Sequence, residues 1–329
     1  MQIKLPLLLM PLSFAGTFVL SKKDWERLAL FFVSLIVCAT IWSMIHYLAD
    51  PDTIQKGYLQ SSLIETPLEN DHVRFSWLVS IAVLIATCLG WKKRKTNPTI
   101  SWLLLIASAW LIIFLHVLAA RTGLLSFYLI ILLTALWLII KKIKTLYGVA
   151  ILFAIVVLPV TAYFVLPTFH NRVKYFFYDL PYFKEAHYLP QTTDAVRVIS
   201  IKAGWNVMNE KPLAGVGFGD LLSQTKKWYS ENYPSMKEVD KIYPSNEWLI
   251  YGASCGWSGF ILFFTVFMIP FFMRKINNRF LWFLFNISAL CLLLFDDVLE
   301  IQFGVFIYSF TLLCWWKGST IGTGESYNN

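Results

Sequence analysis

The sequence carries little charge for its length. Asp, Glu, Lys and Arg make up only 15% of its 329 residues, whereas hydrophobic residues make up 57% and aromatic residues 17%. Soluble domains carry roughly 25% charged residues, so this composition excludes an ordinary soluble enzyme or binding module. It is typical of a polytopic membrane protein.

Paired cysteines and metal-ligand motifs are also missing. The 5 cysteines all lie in apolar runs, and none has the Cys-x-x-Cys spacing. Isolated cysteines of this kind are usually small buried hydrophobes, so the sequence predicts neither disulfides nor a metal centre. Internal repeats are absent, and the one stretch typical of disorder is the polar tail 317–329, which we expect to be cytoplasmic.

Long apolar runs dominate the rest of the chain. Runs of about 20 apolar residues are long enough to cross the membrane as helices. We predict about nine of them, at roughly 3–20, 28–49, 75–91, 99–119, 122–140, 145–166, 246–272, 280–295 and 301–316. The predicted fold is therefore an all-α polytopic membrane protein, a single transmembrane domain over 1–316 that includes one large, partly helical periplasmic loop at 167–242.

Basic residues set the predicted orientation. They cluster in alternate loops, at Lys22-Lys23 with Arg27, Lys92-Lys93-Arg94-Lys95, Lys141-Lys142 with Lys144, Arg274-Lys275 with Arg279, and Lys317. Positive loops stay cytoplasmic, so the remaining loops are expected to face outward. The net charge of +8 is then a topology signal and gives no reason to expect nucleic acid as a partner.

Arg121 is a charged residue within an apolar stretch. Leu111–Ala120 precedes it and Leu124–Ile140 follows it closely. An ionisable residue at that depth is costly and indicates a functional site, although an arginine reaching the headgroups from a short outer turn is the alternative. A guanidinium on the outer side suits a diphosphate, which it binds by paired hydrogen bonds.

The long loop contains two further basic residues on a predicted helix. Apolar residues recur there at helical spacing, at Val198, Ile201 and Trp205. The pattern predicts an amphipathic helix that is capped by Thr193 or Asp194 and turns this apolar face towards membrane or protein. Arg197 and Lys202 are either solvated charges or, with Arg121, candidates for phosphate binding.

Three glycines at alternate positions, Gly215, Gly217 and Gly219, follow a proline in the same loop. A nucleotide-binding loop is not indicated, because a preceding strand and a P-loop Lys-Ser/Thr pair are missing. The alternation predicts a bent backbone with amides close to a ligand or to another helix.

The seventh apolar run opens with Pro244-Ser245-Asn246-Glu247. Ser245 or Asn246 suits the N-cap of this helix, and Asn246 and Glu247 are then expected at the membrane surface, beside the positive end of the helix, where anions bind. An acidic turn with Asp296, Asp297 and Glu300 separates the last two apolar runs on the predicted outer side. It is expected to be solvated, the alternative being a contact with the basic groups of the site.

Taken together, these motifs resemble the O-antigen ligase and polymerase family of bacterial polysaccharide enzymes. The resemblance covers about Ser101 to Trp316 and is carried by Ala120-Arg121-Thr122-Gly123, by Arg197 ahead of the glycine run, and by Pro244-Ser245-Asn246-Glu247 before a Gly-rich helix. It implies transfer of an undecaprenyl-diphosphate-linked glycan to lipid A core or another glycan, on the periplasmic side of the inner membrane and without a metal or other cofactor. Members have about twelve helices, so this chain resembles one that lacks the first three.

The resemblance also implies roles for individual residues. The two arginines that engage the diphosphate map onto Arg121 and Arg197, whereas the family's catalytic histidine falls at Ser245, which cannot act as a general base near neutral pH. Glu247, His187 or His170 is expected to take that role, or activity is weak or absent. Further candidates for substrate binding are Lys202, Gly215, Gly217, Gly219, Ser245, Asn246 and His187.

Three alternatives stay open from the sequence. A polymerase of the same family would extend one lipid-linked glycan with another. A flippase or transporter would move a polar solute without forming a bond, although the apolar runs show few charges at mid-membrane depth and no pair of broken helices. An inactive relative would serve as a scaffold.

Overall fold

The computed structural model describes residues 4–16, 20–60, 62–67, 71–190, 192–273, 276 and 278–320. Every regular element within these residues is helical. Six of the helices are long and apolar enough to cross a membrane. The predicted class, an all-α polytopic membrane protein, is confirmed at this level, whereas the number nine and the periplasmic side of the loop stay predictions.

The chain divides into two compact units. Unit 1 contains residues 1–15, 175–276 and 293–314, and unit 2 contains residues 16–174, 277–292 and 315–329. The predicted single domain over 1–316 stays a prediction.

Unit 2 is built mainly from long apolar helices. They are α2 (Lys22–Ala49), α3 (Pro51–Gly57), α4 (His72–Lys93), α5 (Pro98–Leu118), α6 (Arg121–Ile140), α7 (Thr145–Val165), the start of α8 (Pro167–Glu185) and most of α12 (Arg279–Phe295). Side chains before the helices satisfy their first amides: Asp71 accepts from the Arg74 amide at 3.1 Å, and Asn97 accepts from the Ile100 amide at 3.2 Å. These caps place the start of α4 and of α5.

Three predicted basic clusters lie at one end of unit 2. Glu26 near the start of α2 binds both Lys92 and Lys93 at the end of α4, at 2.6 and 2.8 Å. The Lys144 ammonium group lies 4.8 Å from the centre of the Trp91 ring, which brings the third cluster to the same end. This arrangement agrees with alternate basic loops, while the cluster at Arg274-Lys275 lies outside the described residues.

Unit 1 contains most of the predicted loop, from residue 175 onward, and the helices around it. Its elements are α1 (Pro6–Ala15), the end of α8, α9 (Thr193–Glu210), α10 (Leu221–Asn232), α11 (Glu247–Phe272) and most of α13 (Gln302–Thr320). The loop is folded around its own apolar core, which includes Ile199 and Ala203 of α9 and Tyr229 of α10. A second core packs α9 against α11, with Met208 and Ile250 fully buried.

Helix α9 has a different N-cap from the one predicted. Its N-cap is Thr192, instead of Thr193 or Asp194, and the Thr192 hydroxyl donates to the Leu189 carbonyl at 2.6 Å and makes no capping hydrogen bond. Its buried face is formed by Ala195, Val196, Ile199, Ser200, Ala203, Gly204, Val207 and Met208. Trp205 is exposed, and Val198 and Ile201 are only partly buried. The orientation of Val198, Ile201 and Trp205 towards a membrane stays a prediction. The face that is buried within the protein contains small residues, which allow the close approach of its neighbours: the Gly204 backbone lies directly beside Pro244.

The C-terminal helix continues beyond its predicted end. Helix α13 runs to Thr320, so residues 317–320 of the predicted tail are helical, and the remainder of that prediction falls on residues outside those described.

Candidate functional site

Three of the predicted site residues of unit 1, Arg197, Asn246 and Glu247, converge on one short piece of chain, residues Leu294–Glu300, which leads from α12 to α13. We call it the 294–300 segment. It contains the predicted acidic turn, of which Val298–Glu300 forms a single 3₁₀ turn. Four side chains from other parts of unit 1 bind this segment.

Arg197 is the first of these side chains. Its Nη1 donates to the Phe295 carbonyl at 3.2 Å, and its Nη2 lies 3.6 Å from an Asp296 carboxylate oxygen. The Arg197 side chain is 36% exposed and that of Asp296 only 10%. The acidic turn is therefore not simply solvated, and the alternative, a contact with a basic group of the site, is correct for Asp296.

Asn246 is the second side chain, and it acts in two directions. Its Oδ1 accepts from the Leu249 amide at 3.0 Å, which makes it the N-cap of α11, and its Nδ2 donates to the Leu294 carbonyl at 3.0 Å. The predicted capping is confirmed for Asn246. The same side chain also fixes the start of the 294–300 segment against the start of α11.

Ser245, one residue earlier, has a different environment. It is 3% exposed, its amide donates to Ser200 Oγ at 3.0 Å, and the two hydroxyl oxygens are 3.1 Å apart. Ser200 lies on α9 and its hydroxyl also donates to the Arg197 carbonyl at 2.8 Å. Ser245 therefore joins the start of α11 to the turn of α9 that carries Arg197.

Glu247 is the third side chain that binds the segment. It is 0% exposed, and its Oε2 accepts from the Leu299 amide at 3.0 Å. Within the described part of the chain, its other oxygen, Oε1, has no hydrogen-bond partner. The carboxyl group in this position supports the 3₁₀ turn, and a ligand would have to displace protein atoms to reach it.

Lys4 is the fourth side chain, and it was absent from the predicted site. Its Nζ forms an ion pair with Glu300 at 2.6 Å, and the two side chains are 24% and 15% exposed. The same ammonium group lies 4.5 Å from the ring centres of both Phe218 and Tyr251. A signal was present in the sequence, because Lys4 is a single cation at the edge of an apolar run, but nothing in the pattern named its partner.

Tyr243 lies shortly before the start of α11 and is close to the charges of the acidic turn. Burial raises the pKa of its phenol, and the carboxylates of Glu300 and Asp297 raise it further. The tyrosine therefore lies close to the acidic end of the 294–300 segment and is neutral at physiological pH.

The glycine run packs into a break in α11. Gly256 has φ of 72° and ψ of −167°, values that interrupt the helix. The Val216 amide donates to the Ala253 carbonyl at 2.9 Å, the Gly217 amide donates to the Ser254 carbonyl at 2.8 Å, and Trp257 donates to Pro212 at 2.8 Å. Of the two predicted environments, a ligand or another helix, the structure shows the helix.

The three glycines of the run differ in whether their backbone conformation and surroundings require a glycine. Gly215 and Gly217 have φ of 66° and 84°, a conformation that favours glycine, and a Cβ on Gly215 would collide with the backbone of Ser254. Gly219 has neither a positive φ nor a neighbour within 4 Å of a built Cβ. The amides of Gly215 and Gly217 donate within the protein, to Lys211 and Ser254.

Two other predicted residues of unit 1 lie outside this group. Lys202 is exposed on α9. His187 is also exposed, and its ring lies over that of Tyr182 with centroids 6.2 Å apart. In the described contacts neither residue binds the 294–300 segment.

Arg121 belongs to unit 2, where it is the first residue of α6. The turn before it has Ala119 in the left-handed conformation, with φ of 49°. Gly123 packs against Ser76 of α4, and its carbonyl accepts from Ser80 Oγ at 2.9 Å. This close packing of α6 on α4 fixes the direction in which the chain leaves Arg121.

A buried tyrosine supports the turn before Arg121. The Tyr58 hydroxyl lies 3.0 Å from the Val117 carbonyl and 3.2 Å from the Leu118 carbonyl, and it accepts from the Ile64 amide at 3.4 Å. Burial raises the pKa of Tyr58, whereas the nearby Arg172 charge opposes that shift.

Two further arginines near this end of unit 2 were absent from the predicted site. Arg74 is buried and pairs with Asp71 at 2.7 Å. Arg172 interacts electrostatically with both Tyr58 and His72. In the sequence, both arginines lie near the starts of helices at this end of unit 2, and the prediction did not use that pattern.

His170, named as a candidate base, also belongs to unit 2. Its ring centroid lies 4.5 Å from that of Tyr163.

The arrangement in unit 1 suits recognition of an anion. A guanidinium has five N–H donors in one plane, and the contacts of Arg197 with Phe295 and Asp296 orient that plane. The N-terminus of α11, which Asn246 caps, carries the positive end of the helix dipole. Arg197 therefore provides oriented positive charge, and the buried Glu247 carboxyl group holds the turn.

The model of the O-antigen ligase family matches residues 106–264. No curated protein and no solved structure matches the chain. The matched residues include Arg121, Arg197, the glycine run and the start of α11, the same motifs on which the sequence resemblance was based.

Proposed function

We propose that this chain, which carries an O-antigen ligase family domain over residues 106–264, transfers a glycan from an undecaprenyl-diphosphate carrier to an acceptor hydroxyl. The family supports an O-antigen ligase or polymerase type of membrane enzyme. We further propose that the donor is linked to undecaprenyl diphosphate and that the acceptor is lipid A core or another glycan. The reaction is proposed to take place on the periplasmic side of the bacterial inner membrane.

The orientation of Arg197 is the observation that carries the proposal. The acceptor hydroxyl attacks the anomeric carbon, the bond from that carbon to the phosphate oxygen breaks, and undecaprenyl diphosphate leaves. Negative charge grows on the diphosphate during this step, and an oriented guanidinium stabilises it. The two contacts of Arg197 with Phe295 and Asp296 hold the group before substrate arrives.

Other residues have subsidiary roles in the proposal. Arg121 is proposed to bind phosphate on the basis of the sequence resemblance. Asn246 is proposed to orient the acceptor or the helix start. The proton of the acceptor hydroxyl passes to a base, for which Glu247, His187 and His170 are the candidates named from the sequence. No metal or other cofactor is required, since guanidinium groups supply the positive charge.

The experiment is glycan transfer by the purified, detergent-solubilised protein from undecaprenyl-diphosphate-linked glycan. We expect Arg197→Ala to lower kcat by about 100-fold or more, as expected for loss of one group that stabilises transition-state charge. Arg197→Lys is expected to recover only part of this, because an ammonium group cannot make paired hydrogen bonds. Arg121→Ala is measured separately.

The matched control is Lys227→Ala, which removes an exposed lysine of α10. It is expected to leave transfer unchanged. Full transfer by a normally inserted Arg197→Ala protein contradicts the proposal. Transfer that persists in a chelator supports the metal-independent reaction.

The product distinguishes the two enzyme types. Glycan attached to lipid A core means a ligase, and a ladder of lengthening lipid-linked glycan means a polymerase. Movement of the donor across vesicles without a new glycosidic bond supports the transporter alternative, and donor binding without transfer supports an inactive scaffold.

A further inference from the structure

We propose that Lys4 and Glu300 are positioning residues for Arg197. Their ion pair holds the 294–300 segment where Phe295 and Asp296 can orient the Arg197 guanidinium. This inference rests on the proposed role of Arg197 in binding the diphosphate. It adds a residue from the other end of the chain to the site.

The attachments of the 294–300 segment show how the pair acts. Within unit 1, Asn246 binds its first residue, Arg197 binds the next two, Glu247 binds the Leu299 amide and Lys4 binds Glu300. Lys4 and Glu300 are 296 residues apart in sequence. The Lys4 contact is therefore the attachment made by the N-terminal part of the chain.

Charge makes this attachment important. The buried Glu247 side chain interacts electrostatically with Glu300, Asp297 and Lys4. Glu300 and Asp297 are like charges, and like charges at short distance repel each other strongly where water is excluded. Removal of Lys4 would leave these two carboxylates beside the buried Glu247 carboxyl group without this cation, and the turn that carries both of them would shift.

The Lys4 side chain is itself held in position. Its ammonium group lies against the rings of Phe218 and Tyr251, which are 5.4 Å apart and nearly perpendicular. A cation over the face of an aromatic ring is attracted by the negative charge of that face, most strongly where water is excluded. Phe218 lies within the glycine run and Tyr251 lies on α11, so Lys4 connects these two parts of unit 1 to the 294–300 segment.

Displacement of Glu300 would reach Arg197 through a short stretch of backbone. Only three residues separate Glu300 from Asp296, and a chain of this length spans about 14 Å even when fully extended. A shift of the 3₁₀ turn therefore moves the Phe295 carbonyl and the Asp296 carboxylate that hold the guanidinium.

The test is a double-mutant cycle measured as glycan transfer by the purified full chain. Lys4→Met is expected to lower kcat/KM about 10-fold in the parent protein, and to have almost no effect in the Arg197→Ala background. A residue with a purely structural role would lower transfer by the same factor in both backgrounds. That outcome would overturn the inference.

Two further variants keep the test valid if Lys4→Met inserts poorly. Lys4→Arg retains the charge and is expected to retain most of the transfer. The exchanged pair, Lys4→Glu combined with Glu300→Lys, is expected to be more active than either single reversal. An exchanged pair that is no better than the single variants contradicts the inference.

The matched control is Lys241→Met. It breaks another ion pair of unit 1, with Glu238 at 2.5 Å, which has no described contact with the 294–300 segment. Its transfer is expected to equal that of the parent. If Arg197→Ala itself retains full transfer, the proposed function fails; if Arg197→Ala is impaired but the Lys4 effect is additive, only the positioning role fails.

Discussion

The backbone amide of Val216 donates to the carbonyl oxygen of Ala253 at 2.9 Å. In an uninterrupted helix this carbonyl would accept from Trp257, four residues further along α11. The break at Gly256 releases it, and the turn after α9 supplies the missing donor, while Trp257 donates instead to Pro212. The glycine run and α11 are thus parts of one hydrogen-bonded structure.

Replacement of Gly256 by alanine is expected to destabilise the protein. Gly256 has a φ of 72°, and a Cβ there would collide with the backbone of Pro212 and Leu213. The strained conformation alone costs about 1–3 kcal/mol for a residue other than glycine. Thermal unfolding in detergent should show a lower Tm for Gly256→Ala. Gly219→Ala is the control and should match the parent, because its position is sterically open; equal Tm values for both variants contradict the prediction.

Glu247 provides a test between a positioning role and a general base. Glutamine keeps an oxygen that can accept from the Leu299 amide, whereas alanine removes it. If the carboxylate positions the turn, Glu247→Gln retains most of the transfer activity and Glu247→Ala loses it. Equal loss in both variants, with a changed pH dependence of kcat, would instead support proton transfer to Glu247.

The two serines between α9 and α11 are expected to differ in their effect on stability. Ser200→Ala leaves the buried Ser245 amide without its acceptor and costs about 1–3 kcal/mol. Ser245→Ala removes only the contact between the hydroxyls and costs about 1 kcal/mol or less. Denaturant unfolding in detergent ranks the two, and a larger loss for Ser245→Ala contradicts the assignment.

Tyr58 is expected to stabilise the turn that leads to Arg121. Tyr58→Phe keeps the ring and removes the hydroxyl that contacts Val117, Leu118 and Ile64, which costs about 1–3 kcal/mol if those groups stay buried. The Tm should fall, and transfer should fall with it if Arg121 is displaced. Tyr147→Phe, at a tyrosine that is 49% exposed, is the control and should leave Tm unchanged.

Hydrophobic length predicted the membrane helices well. The runs expected at 75–91, 99–119 and 122–140 correspond to α4, α5 and α6 with ends that differ by at most three residues. The length of an apolar run is a local property, so it can be read directly from the sequence. The capping role of Asn246 is local in the same way and was also predicted.

The contacts that assemble the site were beyond the sequence because they join distant residues. The pairing of Lys4 with Glu300 and that of Arg197 with Asp296 depend on how the helices pack. The break at Gly256 was not predicted, because periodicity cannot distinguish a helical glycine from one with positive φ. The buried side of α9 was not predicted for a similar reason, since small residues such as Gly204 lie on it.

The break in α11 also bears on the order of events during synthesis. The carbonyls of Ala253 and Ser254 need donors from the turn at 212–217, and backbone groups left without partners in hydrocarbon cost several kcal/mol each. That turn leaves the ribosome before α11 does, so its amides are already available when the broken helix enters the bilayer. A chain in which the same turn followed α11 would have to insert the helix with those carbonyls unsatisfied.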